Sequence, residues 1–177
     1  MKKGVVHIYT GDGKGKTTAS LGVCLRAAGY GLKSCIIQFV KGTWHTGERD
    51  SIPVLLNPHV TIYSSGKGFV GILDDKYPLE THQREAYKAL HLAREQMQDP
   101  ELHLLVLDEV NVAITLNLIR VEDVVELLKQ KPERLNIILT GRGAPQQLCE
   151  MADLVTEMKP LKHYFDKGET GRKGIEF

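Results

Sequence analysis

The 177-residue sequence has no disulfide framework to read. Its three cysteines are an odd number, and no two stand at a C-x-x-C spacing. Cys24, Cys35 and Cys149 all lie in apolar surroundings, which reads as reduced core thiols of a cytosolic chain. No apolar run approaches the ~20 residues that span a bilayer, so no membrane partner is expected. Met1, Lys2 and Lys3 resemble the start of a signal, but no apolar segment follows, and by Asp12 the chain is polar and glycine-rich. The expectation is a soluble, unprocessed, cytoplasmic protein. Charge of one sign is also missing: 23 Lys+Arg against 22 Asp+Glu leave a formal +1. Nucleic-acid binders are usually more basic, so no nucleic-acid partner is expected. There is no internal repeat and no low-complexity linker. The seven histidines include none spaced with a second ligand or a serine for zinc or nucleophilic chemistry.

What is present is ordinary globular material. Hydrophobic residues at 42% and charged residues at 25% exclude disorder, collagen-like structure and coiled coil. The length suggests one domain over 1–177, able to bury roughly 70% of its unfolded surface without disulfides. Short apolar runs predict strands at 5–9, 34–40, 60–64, 102–107, 135–139 and 154–158. Helical spacing predicts helices at 16–30, 78–97, 121–129 and 145–152. Residues 41–58 read as a long loop with some helix, 66–77 as glycine-rich and irregular, and 162–177 as an irregular polar tail. Alternating strands and helices imply βαβ units. The continuous apolar runs at 102–107 and 135–139 fit strands covered on both faces. The fold class is therefore α/β with a mostly parallel sheet.

Thr10-Gly11-Asp12-Gly13-Lys14-Gly15-Lys16-Thr17-Thr18 lies between a predicted strand and a predicted helix, the context of a P-loop, and makes the expected fold an α/β, three-layer P-loop NTPase (RecA-like) domain with a mostly parallel sheet. Closely spaced glycines let backbone N–H groups converge on phosphate, and the helix N-terminus adds its dipole. Lys16 would reach phosphate oxygens, and the Thr17 hydroxyl would ligate Mg²⁺. The loop departs from G-x-x-x-x-G-K-[ST], because Thr10 stands where the first glycine belongs. A second element, Leu104 to Leu107 followed by Asp108 and Glu109, delivers two acids at a strand's C-terminal end, where open α/β sheets bind ligands. Either acid fits a Walker B role on Mg²⁺. A third, Thr140-Gly141-Arg142, also follows an apolar strand. Together these read as an MgATP site at the C-terminal ends of the first and fourth strands. They leave open which bond of ATP is broken: hydrolysis, phosphoryl transfer, and displacement at the ribose 5′ carbon all remain.

The motifs in order carry a resemblance. The shortened loop at 10–18 is similar to that of the P-loop corrinoid adenosyltransferases, which act on cob(I)alamin or cob(I)yrinic acid a,c-diamide. The likeness continues through Arg26-Ala27-Ala28-Gly29-Tyr30-Gly31 and through Gln38-Phe39-Val40-Lys41-Gly42-Thr43-Trp44 with Gly47-Glu48-Arg49. It also takes in Leu107-Asp108-Glu109, Ile138 to Gly143, the run Lys159 to Gly168, and Gly174-Ile175-Glu176-Phe177. It covers essentially the whole chain.

The resemblance implies transfer of the 5′-deoxyadenosyl group of ATP to Co(I) of a reduced corrinoid, with triphosphate released. It implies that Gly11, Asp12, Gly13, Lys14, Gly15, Lys16, Thr17 and Thr18 hold the triphosphate. Lys16, Thr17 and Glu109 would be catalytic, and Thr17, Asp108 and Glu109 would hold Mg²⁺. Arg26 and Arg142, with Asp12, would contact ATP. Lys41, Trp44, Glu48 and Arg49 would sit near nucleotide or corrinoid, and Phe69 would border the corrinoid. A homodimer and a flavoprotein reductant are further family expectations. One departure stands out: Gly71 occupies the place where the family pattern has a loop tryptophan, and 72–79 is longer than usual. A RecA-like ATPase or small kinase, or a non-catalytic ATP- or corrinoid-binding protein, are the alternatives on the residues alone.

Overall fold

The computed structural model describes residues 3–41, 45–68, 70–71 and 75–177. Six strands, β1 (Val6–Thr10), β2 (Lys33–Gln38), β3 (Val60–Ser64), β4 (Leu102–Asp108), β5 (Asn136–Thr140) and β6 (Leu154–Glu157), form one sheet. Their order is β3-β2-β4-β5-β1-β6, and every pair is parallel. The expected "mostly parallel" sheet is thus wholly parallel.

Side chains on a strand alternate between faces, and both faces here are buried. Cys35 and Ile37, Leu105 and Leu107, and Ile137 and Leu139 point to one side. There they meet Ala86, Ala89, Leu90 and Ala93 of α3 (Leu79–Gln96) and Val124, Leu127 and Leu128 of α5 (Val121–Lys129). Ile36, Leu104, Val106 and Ile138 point to the other side, against Cys24 of α1 (Lys16–Ala28) and Ile52. This gives three layers. Burying a leucine or isoleucine contributes about 1.5–3 kcal/mol, so the alternation in these central strands fixes their register.

Helices fall close to the expected bounds. The loop at 41–58 contains α2 (Gly47–Ser51), which runs into a π-helical turn at Ile52–Leu56. Pro53 lies inside that turn and has no N–H to give to a regular helical ladder. Two short helices flank the site side of the sheet, α4 (Val110–Thr115) and α6 (Gln146–Met151). α4 has no counterpart in the sequence reading. It starts directly after the acidic pair, with Glu109 in the left-handed region at φ 63° and no side-chain cap. No breaker residue separates it from the strand. The tail is not wholly irregular: a 3₁₀ turn spans Tyr164–Lys167, and the segment beyond it returns to the sheet's C-terminal edge.

Candidate active site

The phosphate-type loop joins β1 to α1 and is braced from behind. Gly13 N donates to Met158 O at 2.7 Å, and Met158 N donates to Thr10 O at 2.8 Å. A Cβ on Gly11, at φ 90°, would lie 2.4 Å from Met158 O, and one on Gly13 would lie 2.7 Å from the same oxygen. The chain leaving β6 therefore sits where any side chain at 11 or 13 would have to go. The Lys16 ammonium donates to Gly11 O at 2.6 Å and Gly13 O at 2.7 Å, with the residue 7% exposed. Burial pushes its pKa down, opposed first by the negative Glu109 nearby.

Asp108 is fully buried at the end of β4 and gathers donors from three elements. Its Oδ1 accepts from Thr17 Oγ1 at 2.9 Å and Thr140 Oγ1 at 2.7 Å, and its Oδ2 accepts from Gln38 Nε2 at 3.3 Å. Ser64 Oγ in turn donates to Gln38 Oε1 at 2.7 Å. One polar chain thus crosses β3, β2, β4 and β5 and reaches the start of α1. The same Thr140 hydroxyl accepts from Glu109 N at 2.9 Å. Because the backbone turns left-handed at Glu109, the two acids diverge: Asp108 points into the polar chain, and Glu109 lines the open cavity. Burial raises the Glu109 carboxyl, and the neighbouring Asp108 raises it further.

Two cavities open side by side at this edge. The first, about 470 Å³, is lined by residues 12–18, with Lys41, Glu48, Glu109, Arg142 and the 174–177 segment. Lys41 pairs with Glu48 at 3.7 Å, Arg142 with Asp12 at 3.8 Å, and Lys14 with Glu176. The second, about 910 Å³, is more apolar, with walls from Val40, Val70, Val112, Leu116 and Phe177. A loop of backbone donors at a helix N-terminus, ringed by Lys14, Lys16, Lys41 and Arg142, suits a polyphosphate. Thr17 and Glu109 offer oxygen donors to the cavity, the kind a hard divalent cation takes, and their small number suits Mg²⁺, which keeps waters and substrate phosphates as its other ligands; Asp108, expected as a third donor, is instead fully buried and holds the Thr17 hydroxyl from behind. No cluster of three or more His, Cys, Asp or Glu suited to a metal occurs among the described residues.

Most of the expected residues meet here: Gly11 to Thr18, Lys41, Glu48, Asp108, Glu109 and Arg142. Arg26 does not. It lies in the last turn of α1 and lines a separate cavity of about 720 Å³ with His7, Tyr30 and Arg134. The reason is helical rise: ten residues beyond Lys16 is about 15 Å along the axis. Arg49 lies on α2 next to Glu48 and outside the lining of either cavity. Trp44 and Phe69 fall outside the described residues. The sequence reading passed over Gln38, Ser64, Glu176 and Phe177 as site residues, and it named the strand end at Thr140 without giving that residue a role. The only signal for Thr140 was its place after an apolar strand, and Glu176 and Phe177 are far from the loop in sequence.

The family model described as ATP:corrinoid adenosyltransferase BtuR/CobO/CobP matches residues 2–177. A corrinoid adenosyltransferase of Escherichia coli K12 is 36% identical over 177 residues, 99% of this chain and 87% of that protein. One from Sinorhizobium sp. is 38% identical over 99% of this chain and 81% of that protein. The corrinoid adenosyltransferase CobA of Salmonella typhimurium LT2 is 35% identical over 99% and 87%. Among solved structures, a KaiC-like protein from Pyrococcus horikoshii OT3 aligns with a TM-score of 0.49 at 16% identity, over 88% of this chain and 73% of that one. With a match along almost its whole length and relatives 35–38% identical, the chain belongs to the ATP:corrinoid adenosyltransferase BtuR/CobO/CobP family.

Proposed function

We propose that this chain, acting as a single P-loop domain over 1–177, transfers the 5′-deoxyadenosyl group of MgATP to the Co(I) centre of a reduced corrinoid and releases triphosphate. The acceptor is cobalamin or its a,c-diamide precursor, used in the biosynthesis or salvage of adenosylcobalamin. The observation that carries the reading is the pair of adjoining cavities. A polar one fits a triphosphate, and a larger, more apolar one beside it has room for a macrocycle. The two share Lys41, Glu109, Arg142, Glu176 and Phe177, so two bound substrates would meet there.

The chemistry asks little covalent work of the protein. An electron pair on reduced cobalt attacks the ribose 5′ carbon, the C–O bond to the triphosphate breaks, and that bond's pair leaves on the triphosphate oxygen. No side chain need act as nucleophile or base. Lys16, Lys14 and the loop amides would hold the triphosphate and offset the charge that develops on it. Thr17 and Glu109 would hold Mg²⁺, with Asp108 positioning the Thr17 hydroxyl from behind, and the ion would supply further charge neutralisation on the phosphates. The cavity walls would align the substrates and keep water out. A flavoprotein would deliver the electrons, and a homodimer in the cytoplasm is the assembly in which we place the chain. Among the described residues, no helix is long and apolar enough to cross a membrane.

The test is anaerobic mixing of protein, MgATP and chemically reduced cob(I)alamin. We expect a light-sensitive Co–C product and triphosphate in equal amounts. Lys16→Ala should lower the rate at least ~100-fold by removing the charge that the leaving group meets. ADP or inorganic phosphate as the only product would overturn the reading in favour of an ATPase or kinase.

A further inference from the structure

Five residues line both cavities at the sheet's edge, and four of them are charged: Lys41, Glu109, Arg142 and Glu176. The fifth, Phe177, is 41% exposed, and it is the one aromatic among the described residues of the larger cavity. We infer that Phe177 is a positioning residue of the transfer reaction, a ring against which the flat apolar acceptor is set opposite the nucleotide's ribose. This inference rests on the function proposed above.

The placement of that ring is built in. Glu176 forms an ion pair with Lys14 of the phosphate-type loop, and its side chain is only 20% exposed. The segment around it is a tight turn. Ile175 N and Glu176 N donate to Arg172 O at 3.1 and 2.8 Å, and Gly174 N donates to Phe177 O at 2.8 Å. Gly174 adopts φ 78°, which lets the turn close. Arg172 is itself held, ion-paired to Glu169 and 5.6 Å above the Tyr164 ring. The Phe177 ring lies over Gly171, where an added Cβ would come within 3.5 Å of Cε1. The turn is thus tied to the nucleotide loop at one residue and places an aromatic ring in the lining of both cavities at the next.

The physical argument concerns what each neighbour can do. Lys41, Arg142 and Glu109 suit phosphate and cation. None offers an apolar plane. Gly68 and Val70, which also line the larger cavity, add no ring. A corrin ring presents a broad, weakly polar face, and a phenyl ring contributes both area and stacking there. Removing it also opens the transfer point to water, which weakens the charge stabilisation around the leaving triphosphate.

The experiment compares wild type with Phe177→Ala and Phe177→Tyr in two readouts. The first is equilibrium binding of MgATP and, separately, of cobalamin. The second is steady-state transfer to chemically reduced cob(I)alamin at saturating MgATP. We expect Phe177→Ala to weaken cobalamin binding and raise the corrinoid KM about tenfold, the scale of one lost aromatic contact. MgATP affinity should stay within about twofold, and Phe177→Tyr should restore the corrinoid parameters. Unchanged corrinoid binding in Phe177→Ala overturns the inference. So does an equal loss for both ligands, which would mark a structural role only. Failure of the proposed function is a different result: wild type that binds cobalamin but forms no Co–C product. The binding comparison still decides the role of Phe177 in that case, and wild type that binds no corrinoid overturns both.

Discussion

At the scale of single residues, burial sets the chemistry of the two core thiols. Loss of solvation pushes Cys24 up to about 12 and Cys35 to about 11, so both remain thiols at neutral pH. Cys149 is half-buried on α6. A disulfide reagent at neutral pH should therefore find one fast-reacting thiol in the native protein and three after unfolding. The sign of the linkage follows. Unfolded thiols ionise near ~8.5 while the folded ones do not, so stability is undiminished below that pH and falls above it. Cys24→Ala should flatten the alkaline fall in melting temperature; an unchanged alkaline limb would count against the burial argument. The divergent roles of Asp108 and Glu109 belong to the same scale and were only half legible. Two adjacent acids after an apolar run announce a site, but their separation depends on one backbone residue at φ 63°. A glutamate in that conformation carries no mark in the sequence, since position sets it through packing rather than propensity.

At the scale of elements, the loop at 10–18 shows how tight the fit between neighbours is. Gly13→Ala would place a Cβ within 3.0 Å of three backbone atoms of Met158 and Lys159. Backbone cannot swing aside as a side chain can, so the loop or the end of β6 must shift, at a cost of about 1–3 kcal/mol. We expect a melting temperature lowered by a few degrees and MgATP affinity reduced at least ~10-fold, read by calorimetry. Retained affinity would show that the bracing from Met158 is dispensable. The long elements were readable because their periodicity is strong: α3 buries Ala86, Ala89, Leu90 and Ala93 on one stripe, and β4 is apolar from Leu104 to Leu107. α4 was not, because it follows its strand without a cap or a break. The run 174–177 stood out as a motif, but its turn and its place at the site did not, because Glu176 is tied to Lys14, about 160 positions away in the chain.

For the whole molecule, strand order was the part that composition and spacing could not supply. β5 lies between β1 and β4, so the phosphate-type loop and the acidic pair are not on adjacent strands. Thr140 at the tip of β5 closes that gap, which is why a hydroxyl there meets Asp108. The edge position of β6 has a consequence of its own. All four of its residues are exposed, among the described residues it pairs only with β1, and yet the residue that follows it holds the nucleotide loop in place. Opening of that edge and loosening of the loop should then be one event rather than two. Hydrogen–deuterium exchange can see this directly. Addition of a non-reacting MgATP analogue should slow exchange at the amides of 154–158, which line neither cavity of the site, as well as at those of 11–17. Slowing confined to the loop would mean that the two segments breathe independently. Joint protection would make the most solvent-exposed strand of the sheet a reporter of what the phosphate-type loop has bound.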